Sequence, residues 1–211
     1  MHDLARDVIL IGASAGGVQA IGKVLSELPS DLGAAVAVTL HRGRHASGLK
    51  DVFGARSNLE VVEVEHGESF VPGRVYLAPP DFHLTFSGGI VLLNHGPKEN
   101  YARPAIDVMF RSAARNYGSR VVGVVLTGNL SDGVAGLQEI KRCGGLSLAQ
   151  EPAEAQAPSM PLNAVMHDHV DIVFLLSAAG RILSKLVERE GVAAALDTHG
   201  ARRPESEPLL S

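Results

Sequence analysis

Tryptophan is absent from this 211-residue chain, aromatic side chains make up only 4% of it, and there is a single cysteine. Each shortage excludes something. A surface that grips nucleic acid needs stacking aromatics and a basic face. Here the 19 Lys and Arg are scattered and the formal net charge is −4, so nucleic acid is not an expected partner. Cys143 alone cannot form an internal disulfide and fits a reducing compartment; at the end of an expected helix it reads as packing. No apolar run reaches the roughly 18 residues of a membrane span. The N-terminus MHDLARDVIL lacks the basic start, long apolar middle and cleavage site of a signal peptide. A soluble, cytoplasmic protein without membrane insertion is the expectation.

What is present is a Val-, Leu-, Ile- and Ala-rich chain, 45% hydrophobic, long enough to bury one substantial core. The run DVILI ends in the small-residue turn Gly12-Ala13-Ser14-Ala15-Gly16-Gly17. Val18, Ile21, Leu25 and Leu28 then recur at helical spacing up to Pro29. AVAVTL reads as a second buried strand ending at His41. The rhythm returns later, with RVVGVVL before the turn Thr127-Gly128-Asn129-Leu130-Ser131-Asp132-Gly133 and a helix carrying Leu137 and Ile140. Between them, short strands near Val61, Arg74, His83 and Ile90 read as a β-rich excursion, followed by a helix from Pro104 to Tyr117. The pattern predicts a doubly wound, Rossmann-like α/β fold, its mostly parallel sheet covered by helices on both faces. One domain is expected over residues 1–196, with a polar, disordered tail over residues 197–211.

In such a sheet, ligands bind outside the carboxyl ends of the strands, so polar residues at strand ends are the candidates. Ser14 sits in a corner of small residues, where the next helix presents unsatisfied N–H groups able to hold an oxyanion; it could equally serve as a helix cap. His41 directly follows the second strand and could take a proton from a neighbouring serine. The other histidines among the nine have blander settings, although His83 could line a pocket. Asp132 could orient the imidazole, or could simply make a turn before its helix. His41 and His45 form a doubtful metal pair beside Gly43, and no Cys-x-x-Cys or His-Glu-x-x-His occurs; neither metal nor cofactor is expected. Two rival readings remain. The glycine loop resembles a dinucleotide loop without the usual acidic residue, since His41-Arg42-Gly43-Arg44 stands there. The chain could also be a non-catalytic signalling module.

The segments IGASAGG, VYLAPPDFHL, ARPAIDVMF, LTGNLSDGVAG and AQEP, with Met160-Pro161 further on, occur in an order that resembles the catalytic domain of the CheB family, the chemotaxis protein-glutamate methylesterases. The resemblance runs from Val8 to about Leu186. It implies Ser14 as nucleophile, His41 as base and Asp132 as orienting acid. It also implies an oxyanion and substrate cleft shaped by Ala15, Gly16, Gly17, Arg103, Asn129 and Met160. The implied substrates are glutamate methyl esters on the cytoplasmic helices of chemoreceptors, with deamidation of receptor glutamines as a second activity. Two positions differ from the family's usual pattern: Ala15 stands where Thr is common, and Asn129 where Met is common. The family usually carries an N-terminal receiver domain. Here the first strand begins at once, so that control is expected to be absent unless a separate receiver protein supplies it.

Overall fold

The computed structural model describes residues 6–41 and 48–204. The opening unit forms as its pattern dictates: β1 (Val8–Ala13), helix α1 (Gly17–Glu27) and β2 (Ala35–Leu40). A short helix α2 (Leu49–Gly54) leads to β3 (Glu60–Glu63) and β4 (Arg74–Leu77). A hairpin follows, β5 (His83–Ser87) with β6 (Ile90–Asn94), then α3 (Ile106–Tyr117) and β7 (Val121–Val125). The second half runs α4 (Val134–Arg142), β8 (Leu146–Gln150), α5 (Ser159–Asp168), β9 (Ile172–Phe174), α6 (Ala179–Val187), α7 (Gly191–Leu196) and β10 (Ala201–Arg202).

Eight strands make one sheet in the order β10-β9-β8-β7-β1-β2-β4-β3. Only the β9–β10 pairing is antiparallel. Both faces are buried, which explains why the central strands read as unbroken apolar runs. Ile9, Ile11, Val36 and Val38 face the side covered by α1, α2, α6 and α7. Val8, Leu10, Ala35 and Ala37 face α3, α4, α5 and the hairpin. From β1 the chain passes to β2 on one side, while β7 takes the other side. Strand order therefore reverses beside β1, opening a crevice at its carboxyl end.

The β-rich middle is less separate than expected. β3 and β4 extend the main sheet in parallel, and only the β5–β6 hairpin stands apart. The scarce aromatics gather beneath that hairpin: Phe70 lies 4.9 Å from both Tyr76 and Phe86, and Phe86 lies 5.6 Å from Tyr117. The polar tail expected from Asp197 is in part structured. Ala201 and Arg202 pair with Phe174 and Val173 along the open edge of the sheet, and Arg202 Nε reaches Glu151 Oε2 at 2.7 Å. Residues 205–211 lie outside the described residues. The proline-rich start of α5 masks its helical signal in the sequence; Pro158 precedes the helix and Pro161 falls in its first turn, where no backbone N–H is needed.

At the amino end of the sheet, Asp168 is buried on the last turn of α5 with an oxygen that has no hydrogen-bond partner. Lys141 donates instead to the carbonyls of Asp168 and His169. Burial pushes the Asp168 carboxyl up to about 6, against about 3.9 for an unfolded aspartate. A raised carboxyl favours the folded state when protonated, so its contribution is full below about pH 4 and is lost as pH rises through about 6. Asp168→Asn is therefore expected to melt at a higher temperature than the parent at pH 8, and to show no such gain at pH 4. Thermal unfolding at the two pH values checks it.

Candidate active site

Strand register places the first two candidates side by side. Ala13 pairs with Leu40 across β1 and β2, so Ser14 and His41 are each the next residue beyond the ladder. The His41 N–H donates to Ala13 O at 3.1 Å, and the Ser14 N–H donates to Thr127 O at 3.0 Å beyond β7. The serine is thus pinned between the loops that follow its two neighbouring strands. Ser14 and His41 line one pocket of about 350 Å³, together with Gly16, Gly17, Gln19, Leu40 and Gln156.

Small residues here answer to specific neighbours. A Cβ on Gly12 would lie 2.4 Å from Ile106, and one on Gly128 would lie 2.7 Å from Met160 and 2.9 Å from the Ser14 Cβ. Gly16 has φ 76° and lies under Gln156, so a side chain there would be both strained and obstructed. Thr127 stitches the loops together: its hydroxyl donates to Ala15 O at 3.0 Å and accepts the Ala157 N–H at 2.8 Å.

Asp132 is buried, its side chain 1% exposed, and lies 2.7 Å through Oδ2 from His41 Nε2. Oδ2 also accepts the Ile106 N–H at 2.7 Å. Oδ1 accepts the Asp107 N–H at 3.1 Å and an N–H of Asn100 at 2.7 Å. Burial by itself would raise this carboxyl, but the His41 ring, the Ile106 N–H and the Asn100 amide outweigh it and hold the group below the ordinary aspartate value. A permanently ionised Asp132 follows at neutral pH. Because Nε2 is turned to Asp132, Nδ1 is the ring nitrogen left for proton transfer. No described residue hydrogen-bonds the Ser14 hydroxyl or that nitrogen.

Asp132 is also a cap, though not of the helix that follows it. It takes the first two N–H groups of α3. Asp107, in the first turn of α3, returns the arrangement by accepting the N–H groups of Gly133 and Gly136 at the start of α4, at 3.0 and 2.6 Å. Each helix therefore carries the carboxylate that satisfies the other's amino end. Burial and the nearby Asp132 charge push Asp107 up, opposed by Gly136 and Asn100.

The remaining candidates are placed differently. Ala15 is exposed, and no described acceptor takes its N–H or that of Gly16. The Gly17 N–H is already used, donating to Ser14 O at 2.9 Å, which leaves Ala15 and Gly16 as the available oxyanion donors. Met160 is buried behind Gly128. Asn129 is exposed outside the residues lining the pocket. Arg103 grips Asp81 with Nε and Nη2, at 3.1 and 2.8 Å, and the Gly96 carbonyl; it is not among the residues lining the pocket beside Ser14. His83 is buried, donating to Pro97 O and accepting the Ala105 N–H, so it fixes the approach to α3. Arg42, Gly43, Arg44 and His45 lie outside the described residues. Among the described residues no cluster of His, Cys, Asp or Glu suits a metal ion, and no helix is long and apolar enough to cross a membrane.

The CheB methylesterase family model matches residues 9–183. The chain belongs to the CheB methylesterase family. These are carboxylic ester hydrolases. A relative from Leptospira interrogans is 36% identical over 187 residues, covering 85% of this chain and 94% of its own length. A Ralstonia nicotianae protein-glutamate methylesterase/protein-glutamine glutaminase is 39% identical over 85% of this chain but 48% of its own. The chain thus spans nearly all of the first relative and about half of the second. The solved catalytic domain of the Thermotoga maritima CheB methylesterase superimposes with a TM-score of 0.82 at 31% identity, over 87% of this chain and all of that one.

Asp107 and Asn100 escaped the sequence reading. Asp107 stands inside ARPAIDVMF in the first turn of α3, and only the folded packing turns it toward the neighbouring helix. Replacing Asp132 with Asn puts an amide against N–H donors and leaves the α3 terminus poorly satisfied, at about 1–3 kcal/mol. Since the folded carboxyl titrates below its unfolded value, its contribution is present above about pH 4 and is lost on acidification. Asp132→Asn should therefore be destabilised at pH 7, and the gap to the parent should narrow toward pH 3.5 in urea unfolding curves.

Proposed function

We propose that this chain is a protein-glutamate methylesterase that works through a Ser14–His41–Asp132 triad. The observation that carries the proposal is the 2.7 Å contact of His41 Nε2 with buried Asp132, made by a ring that shares a pocket with Ser14. His41 Nδ1 removes the Ser14 proton as the oxygen attacks the ester carbonyl. The tetrahedral oxyanion is received by the N–H groups of Ala15 and Gly16. Collapse returns the proton to methoxide, methanol leaves, and an acyl-enzyme remains. Water activated by the same nitrogen then releases the glutamate side chain. Asp132 orients the ring and stabilises the imidazolium formed in both steps. No metal or cofactor enters this scheme.

Relatives carrying the name protein-glutamate methylesterase/protein-glutamine glutaminase support a second reaction at the same serine, in which an amide replaces the ester and ammonia leaves. The substrate proposed is the methylated cytoplasmic helix of a chemoreceptor, which sets the enzyme in the cytoplasm. The dinucleotide reading is less well supported: Gln156 lies over Gly16, and the residue following β2 is engaged by Asp132.

Methanol release from methylated receptor fragments tests the proposal. Ser14→Ala should lower turnover by about 10⁴- to 10⁶-fold. Parent-like turnover by Ser14→Ala defeats it.

A further inference from the structure

Asn100 and Tyr101 both have left-handed backbone, with φ of 50° and 62°. Glu99 and Ala102 on either side exchange both backbone hydrogen bonds, at 3.1 and 2.9 Å. This is a two-residue turn of the I′ kind, in which asparagine is at home and tyrosine is strained. The Tyr101 side chain is 89% exposed, so its strain is not repaid by burial. The turn is held from outside by the Arg111–Glu99 ion pair and by Arg103 on Asp81 and the Gly96 carbonyl. Its effect is to lower one carboxamide between two carboxylates: Asn100 Nδ2 donates to Asp107 Oδ2 at 2.8 Å and to Asp132 Oδ1 at 2.7 Å. Both protons of that amide are spent on acids. Backbone strain maintained by surrounding contacts and converging on such a pair marks a functional position.

We infer that Asn100 is a positioning residue of the esterase site, holding the Asp132 carboxylate so that Oδ2 faces His41 and separating it from the charge of Asp107. The inference rests on the triad reading above. Without Asn100, Oδ1 of Asp132 keeps only the longer bond from the Asp107 N–H, and two buried carboxylates face each other with no donor between them. The readiest relief is a proton on the pair or a turned Asp132, and either weakens support for the imidazolium. The groups facing the amide are Asp107 and Arg111 on α3, Asp132 before α4, and His41 beyond β2, with Glu99 and Lys98 on its own loop. Asn100 does not line the pocket beside Ser14, so its loss is felt in the chemical step and not in binding.

The test is methanol release by the full chain, with kcat and KM followed across pH and expressed per folded protein from circular dichroism melts. Asn100→Ala should lower kcat by about 10- to 100-fold, the scale for losing a partner that orients a catalytic group, while KM stays within about twofold. Asn100→Asp is the sharper variant. A third acid can bridge the other two only while the cluster holds a proton, so its turnover should fall as pH rises from about 6 to 9, where that of the parent does not. Purely structural damage lowers the melting temperature without reversing the pH profile. Unchanged kcat in Asn100→Ala, or a parent-like profile in Asn100→Asp, overturns the inference. If Asn100→Ala does not fold, the profile of Asn100→Asp decides. If the parent releases no methanol, or Ser14→Ala releases as much, the triad reading itself falls and this inference with it.

Discussion

Two helices at the carboxyl edge of the sheet satisfy each other's amino ends, and the site is organised around that exchange. Asp132 takes N–H groups of α3, and Asp107 takes N–H groups of Gly133 and Gly136 at α4. Each bond joins a buried charge to a donor that no intrahelical acceptor could reach, so neither helix end is satisfied without the other. Charge-assisted bonds of this sort are worth about 1.5–3 kcal/mol each, and with the His41 ring they outweigh the burial that by itself would raise the Asp132 carboxyl. A carboxylate fixed in that way can offer one oxygen to His41 without losing its anchorage.

The rest of the geometry comes from the sheet. Parallel register sets the residues after Ala13 and Leu40 next to each other, and the reversal of strand order at β1 leaves space above them. Gly12 of IGASAGG and Gly128 of LTG then serve distances rather than flexibility. Gly12 admits Ile106, the first residue of α3, and Gly128 admits Met160 behind the serine. Close approach of α3 to the strand end is what brings Asp132, held on that helix, within reach of His41.

Much of this could be read from the chain. Apolar runs ending in small or polar turns located the central strands, and strand ends selected Ser14, His41 and Asp132 from many similar residues. The reading went astray where local signals were weak. α5 hides behind prolines, β3 and β4 are too short to show that they join the main sheet, and the charged segment around Arg202 pairs with β9 through its backbone while Arg202 binds Glu151 beyond β8. Asp132 stands where a simple turn before its own helix is the plain expectation; it is instead the cap of a helix that starts earlier in the chain.

The sequence by itself determined the α/β alternation and the family, and it nominated the side chains proposed for ester hydrolysis, because periodicity and motif spacing are local properties of the chain. Only the tertiary structure decided which nitrogen of His41 is turned to Asp132, which backbone N–H groups of the glycine turn are already engaged, and that Asn100 bridges two acids. Those are distances between residues far apart along the chain, and no spacing in the sequence encodes them until the helices have packed.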